Sequence, residues 1–88
     1  MYKVYSILDK VAEEFSPPFL AHNDGVANRH YQAFLSKNPP ETRGEFSLHC
    51  LADWDHKLGI IAPRAYPEEV EVQNTALPRG ADVTEIER

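Results

Sequence analysis

The chain has 88 residues, of which 42% are hydrophobic, and a formal net charge of −5 at pH 7. This length supports one small domain, and the lack of any run of about 20 apolar residues excludes a membrane-spanning helix. The single cysteine, Cys50, excludes an internal disulfide and is typical of a reducing compartment, so we expect a cytoplasmic protein.

Acidic residues concentrate at the C-terminal end of the chain. Residues 1–66 carry seven Lys/Arg and eight Asp/Glu, about −1, whereas residues 67–88 carry two and six, or −4. We therefore expect a single domain over residues 1–66 and an acidic, flexible or partner-dependent tail over residues 67–88. A nearly neutral body argues against a strongly basic nucleic-acid binder but is compatible with a local basic face.

The first half of the chain predicts two extended segments and one helix. Residues 2–8 are rich in aromatic and β-branched residues and are apolar on both faces, as expected of a central strand. The pair Pro17–Pro18 donates no backbone hydrogen bonds, so the stretch around it can be an edge strand or a crossing but not a helix. A cap at Asn23 or Asp24 then begins a helix that runs to about Lys37. Its apolar stripe is Ala27, Tyr31, Phe34 and Leu35.

The second half predicts a hairpin. Residues 46–54 alternate with period two, which would place one set of side chains against the helix: Phe46, Leu48, Cys50, Ala52 and Trp54. Residues 55–59 supply turn chemistry, with Gly59 free to adopt positive φ, and residues 60–62 return as the second strand. We expect an α+β fold, in which a small antiparallel sheet carries one main helix on one face. The other face would be open to solvent, DNA or another subunit.

Few residue patterns indicate catalysis or a bound ion. His49 and Cys50 are adjacent on a strand, so their side chains point to opposite faces, and we expect neither a metal site nor a cofactor. Asp53 and Asp55 flank Trp54 beside a turn, where solvated carboxylates are a simpler interpretation than a divalent-ion site. On a core-facing position Cys50 is a small buried hydrophobe rather than a nucleophile, so we expect no enzyme activity.

Aromatic residues interspersed with cations point to nucleic acid as a ligand, because single-stranded DNA stacks its bases on aromatic rings beside Lys and Arg. The candidate phosphate contacts are Arg29, Lys37, Arg43, Lys57 and Arg64, and the candidate stacking residues are Tyr5, Phe19 and Trp54. The alternative is that most of these aromatics form the core and the cations are ordinary surface residues.

Two blocks of short motifs carry a family resemblance. The first comprises residues 5–10, 12–15 and 17–19 with Asn23, Gly25, Ala27 and Arg29, and the second comprises residues 46–48 and the acidic hairpin over residues 53–59. In this order the motifs resemble the small nonstructural protein of gokushoviruses, the single-stranded-DNA phages of the microvirus group, over about residues 2–62. At residues 54–59 the chain departs from the family pattern, which has a phenylalanine between acidic residues and a threonine before the glycine.

The resemblance implies a non-virion protein that binds DNA in the infected bacterium and serves genome synthesis or packaging, by analogy with the microvirus C protein. We therefore predict a dimeric phage protein of the host cytoplasm that binds single-stranded DNA without strong sequence choice, with replication or capsid proteins as further partners. The rival hypothesis is an adaptor that acts on the replication initiator or the prohead without contacting DNA. A continuous positive groove with exposed aromatics would favour DNA, and an apolar patch without cations would favour the adaptor.

Overall fold

The computed structural model describes residues 1–72, which form one antiparallel sheet, one α-helix and a 3-10 helix. The strands are β1 (Tyr2–Asp9), β2 (Glu14–Phe15), β3 (Phe19–Ala21), β4 (Phe46–Asp55) and β5 (Ile60–Glu69); α1 spans Asp24–Ser36, and the 3-10 helix spans Pro40–Glu45. The strand order is β2-β1-β4-β5, with β3 also paired to β1. The predicted α+β fold is confirmed. Most of the predicted tail, residues 73–88, lies outside the described residues.

The proline-rich segment forms an edge of the sheet as two short strands separated by Pro17–Pro18. Ser16 maintains the pairing with β1 at the point where the prolines supply no N–H donor. Its N–H donates to the carbonyl of Ile7 at 2.8 Å, and its Oγ accepts from the N–H of Ile7 at 3.0 Å. Its carbonyl accepts from Oγ of Ser6 at 2.7 Å. The predicted edge strand is therefore present, and β1 is central as expected.

Helix α1 begins after Asn23, whose Oδ1 accepts a hydrogen bond from the N–H of Val26 at 2.9 Å. This bond satisfies one of the free donors of the first turn. The helix ends at Ser36, next to the predicted end, and the prolines that follow cannot continue it. Its buried residues are Ala27, Tyr31 and Leu35, which belong to the predicted stripe. The hydroxyl of Tyr31 donates to the carbonyl of Phe46 at 3.0 Å and ties the helix to β4.

A β-bulge in β4 changes which of its residues face the helix. Tyr5 pairs with Cys50 and Val4 pairs with Ala52, so Leu51 is an extra residue in β4. Paired residues share a face, so β4 is divided into Phe46, Leu48 and Cys50 on the helix side and Ala52 and Trp54 on the other. The prediction that all five share one face was wrong, because counting by twos across a bulge misassigns every residue beyond it.

The core lies between α1 and the sheet, and its buried members are Tyr5, Ile7, Ala21, Ala27, Tyr31, Leu35, Leu48, Cys50 and Val70. Strand β5 is longer than the predicted residues 60–62 and continues to Glu69. The N–H of Val70 then donates to the carbonyl of Leu48 at 2.8 Å. The packed part of the chain therefore extends past residue 66. No helix within residues 1–72 is long and apolar enough to cross a membrane.

Burial should make Cys50 chemically inert in the folded protein. The residue is buried in the core, and this burial raises the pKa of its thiol. Since the thiolate is the reactive form, a raised pKa lowers reactivity at neutral pH. We expect the thiol reagent DTNB to modify Cys50 much more slowly in native protein than in protein unfolded in urea, as followed by the absorbance of the released thiolate. Equal rates in the two states would contradict this placement.

Candidate nucleic-acid interface

The sheet face turned away from α1, called here the open face, is defined by the strand register. Its main residues are Tyr2, Val4, Leu8, Phe15, Leu20, His49, Trp54 and Ile61. Leu20 and Ile61 are at least half exposed, Phe15 is 43% exposed, and the others are half-buried. The open face is thus an accessible surface of apolar and aromatic groups, which is typical of a binding surface.

Four rings meet at one end of the open face, and we call Tyr2, His22, Trp54 and His56 the aromatic platform. Tyr2 pairs with Trp54 across the strands, with ring centroids 5.7 Å apart. His22 packs on Tyr2 at 4.2 Å, and His56 approaches Tyr2 edge-on at 5.3 Å. Both histidines are exposed and the other two rings are half-buried. Solvent therefore reaches a preassembled set of rings on which a planar ligand can stack.

The β4–β5 turn fixes one side of the aromatic platform. Oδ1 of Asp55 accepts from the N–H groups of Lys57 and Leu58 at 3.0 and 3.2 Å. The N–H of Gly59 donates to the carbonyl of Asp55 at 2.8 Å, and Gly59 has φ of 70°, which glycine adopts without strain. This turn holds His56 beside Trp54, and the exposed Lys57 follows His56 directly in the chain, a position called here the rim of the platform.

An apolar hollow of about 380 Å³ continues from the platform across the open face. Its lining residues are Val4, Pro18, Phe19, Leu20, Trp54 and Ile61. None of these six residues is charged. The hollow therefore offers contact to apolar groups or ring faces but no attraction for phosphate.

Of the three predicted stacking residues, only Trp54 lies on the open face by strand register, although Phe19 also borders the apolar hollow. Tyr5 is fully buried, and its hydroxyl donates to Oδ1 of Asp24 at 2.6 Å. Burial, together with this hydrogen bond, raises the pKa of the Tyr5 hydroxyl. Phe19 is half-buried and stacks between Tyr5 at 5.9 Å and His30 at 4.0 Å. Tyr5 therefore has no exposed ring face for a base. The ring of Phe19 is already in contact with the rings of Tyr5 and His30.

The five predicted phosphate contacts lie apart from one another. Arg64 is held between Asp53 at 3.1 Å and Glu68, and the hydrogen bond to Asp53 raises the pKa of its guanidinium. Arg43 donates to the carbonyl of Asn38 at 3.3 and 3.4 Å. The remaining two cations outside the platform are exposed residues of the α1 region, Arg29 and Lys37.

Lys57 is thus the predicted cation that adjoins the aromatic platform. Within residues 1–72, the five cations do not converge on one groove, so the continuous positive groove that would favour DNA is not found in this part of the chain. Nor do three His, Cys, Asp or Glu side chains in that range come together as a metal site.

Sequence reasoning missed His22 and His56 as members of a binding surface. His56 lies two residues after Trp54, but it belongs to the turn, where strand alternation no longer applies, so its contact with Trp54 and Tyr2 depends on the shape of the turn. His22 depends on the pairing of β3 with β1, where Lys3 pairs with Ala21 and the next position brings His22 to Tyr2. That contact joins residues 20 positions apart in the chain, so no local pattern indicates it.

Comparison with known proteins identifies the origin of the chain. A family model described as Phage ORF5 protein matches residues 2–76, which is most of the chain. No significant match was found among curated proteins or solved structures. The family match supports a small bacteriophage protein, whereas the gokushovirus resemblance stays a prediction. The chain belongs to the phage ORF5 protein family.

Proposed function

We propose that this phage protein binds single-stranded DNA by stacking bases on the aromatic platform. The observation that carries the proposal is the group of four neighbouring rings, with centroids 4.2 to 6.1 Å apart, at an exposed end of the sheet. Every base has a π-face, so stacking of this kind binds DNA without strong sequence choice. Duplex DNA keeps its bases paired and stacked inward, so the platform favours single strands.

Stacking, more than charge, supplies the affinity in this proposal. The whole chain carries a net charge of −5, and Lys57 is the predicted cation at the rim of the platform. Each phosphate contact with a single strand contributes about −0.7 to the slope of log affinity against log salt. A site with one or two such contacts therefore has a shallow salt dependence. Binding with so few phosphate contacts suits transient handling of genome strands during their synthesis or packaging in the host cytoplasm.

The intrinsic fluorescence of Trp54 tests the proposal directly, since the chain has one tryptophan. The purified protein is titrated with a twelve-nucleotide single strand of mixed sequence at several salt concentrations, and with the duplex of the same sequence. We expect saturable quenching by the single strand, a shallow salt slope and weaker quenching by the duplex. The proposal fails if the single strand neither quenches Trp54 nor shows a rise in anisotropy when labelled, even at low salt.

Lys57 should contribute more to DNA binding than Lys37, although both are exposed lysines. We expect Lys57→Ala to weaken binding of the single strand several-fold at low salt and to reduce the magnitude of the salt slope by about 0.7. Lys37→Ala should leave both quantities unchanged, because Lys37 is the C-cap of α1 and lies away from the platform. Fluorescence titration measures both variants. The two substitutions change the net charge equally, so equal effects would point to a general charge effect instead of a contact.

The adaptor function is the second candidate, and the uncharged lining of the apolar hollow favours it. A protruding apolar side chain would fill the hollow, whether it comes from a different protein or from a second copy of the chain. An adaptor predicts that Ile61→Asp abolishes binding to the purified replication initiator or prohead of the phage. It further predicts that single-stranded DNA gives no quenching of Trp54 in the unmodified protein. Sedimentation equilibrium measures the self-association of the same variant.

A further inference from the structure

We infer that the open face carries a second base-stacking site, formed by Phe15 and His49, at the opposite end of the sheet from the aromatic platform. This inference rests on the proposed DNA-binding function and deepens it, because two sites define the path of the bound strand across the protein. Neither residue belongs to the candidate contacts predicted from the sequence.

The strand register places both rings on the open face. Phe15 pairs with Leu8, and His49 pairs with Ser6, two positions along the same face of β1. The two rings meet at a centroid distance of 5.4 Å and an interplanar angle of 83°. Phe15 is 43% exposed and lies outside the core cluster. An exposed phenylalanine that packs edge-on against a histidine leaves ring surface free for a ligand.

His49 is held in a fixed orientation beside Phe15. Its Nε2 lies 2.9 Å from Oγ of Ser47, and its Nδ1 lies 3.5 Å from the carbonyl of Pro67. These contacts fix the plane of the imidazole and so the position of the ring against which Phe15 packs. The second site is therefore preorganised, which reduces the entropy lost on binding.

The distance between the two sites suits a short single strand. Tyr2 and Leu8 are six residues apart on β1, and a strand rises about 3.4 Å per residue, so the sites are roughly 20 Å apart. A stacked nucleic-acid strand rises about 3.4 Å per nucleotide, which gives a span of at most about six nucleotides. The open-face positions of β1 between the two ends are Val4, which is half-buried, and Ser6, which is fully buried, and neither is charged. A strand that reaches both ends would therefore pass over the groups that cover Ser6, and it would meet no carboxylate on β1.

The charges around the second site assign it a stacking role. Glu13 and Glu14 are exposed beside Phe15, the exposed Glu69 pairs with His49, and Lys10 is the exposed cation at the same end. The carboxylates offset the single lysine, so this end provides little attraction for phosphate. Loss of the Phe15 ring should consequently change the affinity for DNA but not the salt dependence of binding, which distinguishes this end from the Lys57 end.

The test compares oligothymidylates of three, six, nine and twelve nucleotides on the full chain and on Phe15→Ala, with Trp54 fluorescence as the readout. We expect unmodified protein to bind the nine- and twelve-nucleotide strands more tightly than the three-nucleotide strand. The difference in affinity should exceed the statistical gain from the larger number of binding positions on a longer strand. Phe15→Ala should weaken binding of the two long strands about five- to tenfold, the lower part of the range for one base–aromatic stack. It should leave the affinity for three nucleotides and the salt slope unchanged, and Phe15→Tyr should restore long-strand binding.

Each outcome decides a separate question. If Phe15→Ala leaves the length dependence unchanged, the second site is wrong, while quenching by three nucleotides still supports the aromatic platform. If no strand quenches Trp54 in unmodified protein, the proposed function itself fails. His49→Gln guards against a folding defect in Phe15→Ala, since it removes the second ring separately and should reduce long-strand binding in the same selective way. A uniform loss of binding at all lengths would contradict the inference.

Discussion

Replacing Leu48 with alanine is expected to lower the free energy of unfolding by about 3 kcal/mol, within the range measured for buried leucines. Leu48 is 1% exposed and is one of the largest fully buried side chains. It pairs with Ile7 on the helix side of the sheet, so its loss leaves a cavity between α1 and the two central strands. Circular dichroism of urea and thermal unfolding measures the change.

The matched control for this variant is Leu58→Ala, which removes the same atoms from a leucine that is 70% exposed in the β4–β5 turn. Its effect should stay within about 0.5 kcal/mol, as is usual for surface substitutions. A loss of 3 kcal/mol lowers the melting temperature of a domain of this size by roughly 12 to 24 °C. Similar losses for the two variants would contradict the assignment of the core to the face beneath α1.

Much of the fold could be predicted because its signals are local. Asn23 caps α1 through a bond to a residue three positions away, and the Pro17–Pro18 pair restricts its own backbone. Gly59 closes the β4–β5 turn within five residues of Asp55. Signals of this kind need no knowledge of partners elsewhere in the chain, so strand, edge, helix and hairpin could be placed in order from composition and spacing.

The divided face of β4 could not be predicted in this way. Leu51 is an ordinary strand residue by composition, and its role as the extra residue in the ladder depends on which residues of β1 lie opposite it. Four residues of β5, 64–67, lie between the partners of Cys50 and Ala52, so both ladders are irregular at this point. The bulge moves Trp54 from the expected core face to the open face, and it thereby creates the candidate site.

The chemical type of the candidate site could be predicted from the sequence better than the residues that form it. The expectation of aromatic rings beside a cation corresponds to Trp54 and Lys57 at the rim of the platform. The sequence alone could not exclude Tyr5 as a stacking residue, because its burial and its hydrogen bond to Asp24 depend on the packing of α1 over β1. Likewise, the ion pairs that hold Arg64 require the hairpin partner Asp53 to be in register. Exposure and pairing are tertiary properties, which single-residue patterns do not encode.

Loss of the Trp54 ring is expected to weaken binding of single-stranded DNA about five- to 150-fold, corresponding to the ~1–3 kcal/mol typical of one base–aromatic stack. Trp54 offers the largest ring of the platform and contacts both Tyr2 and His56, so Trp54→Ala also releases its neighbours. The measurement is the anisotropy of a labelled twelve-nucleotide strand, since this variant has no tryptophan fluorescence.

Two further variants separate stacking from stability. Trp54→Phe keeps an aromatic face at the same position and should retain most of the affinity. Tyr66→Ala removes an aromatic ring that is 66% exposed on β5 and makes no ring contact with the platform among the described residues, so binding should be unchanged. If Trp54→Ala binds as tightly as the unmodified protein while remaining folded, the bases do not stack at this end of the sheet. The platform would then be a purely structural cluster, and the uncharged hollow beside it would make the adaptor the better account of the open face.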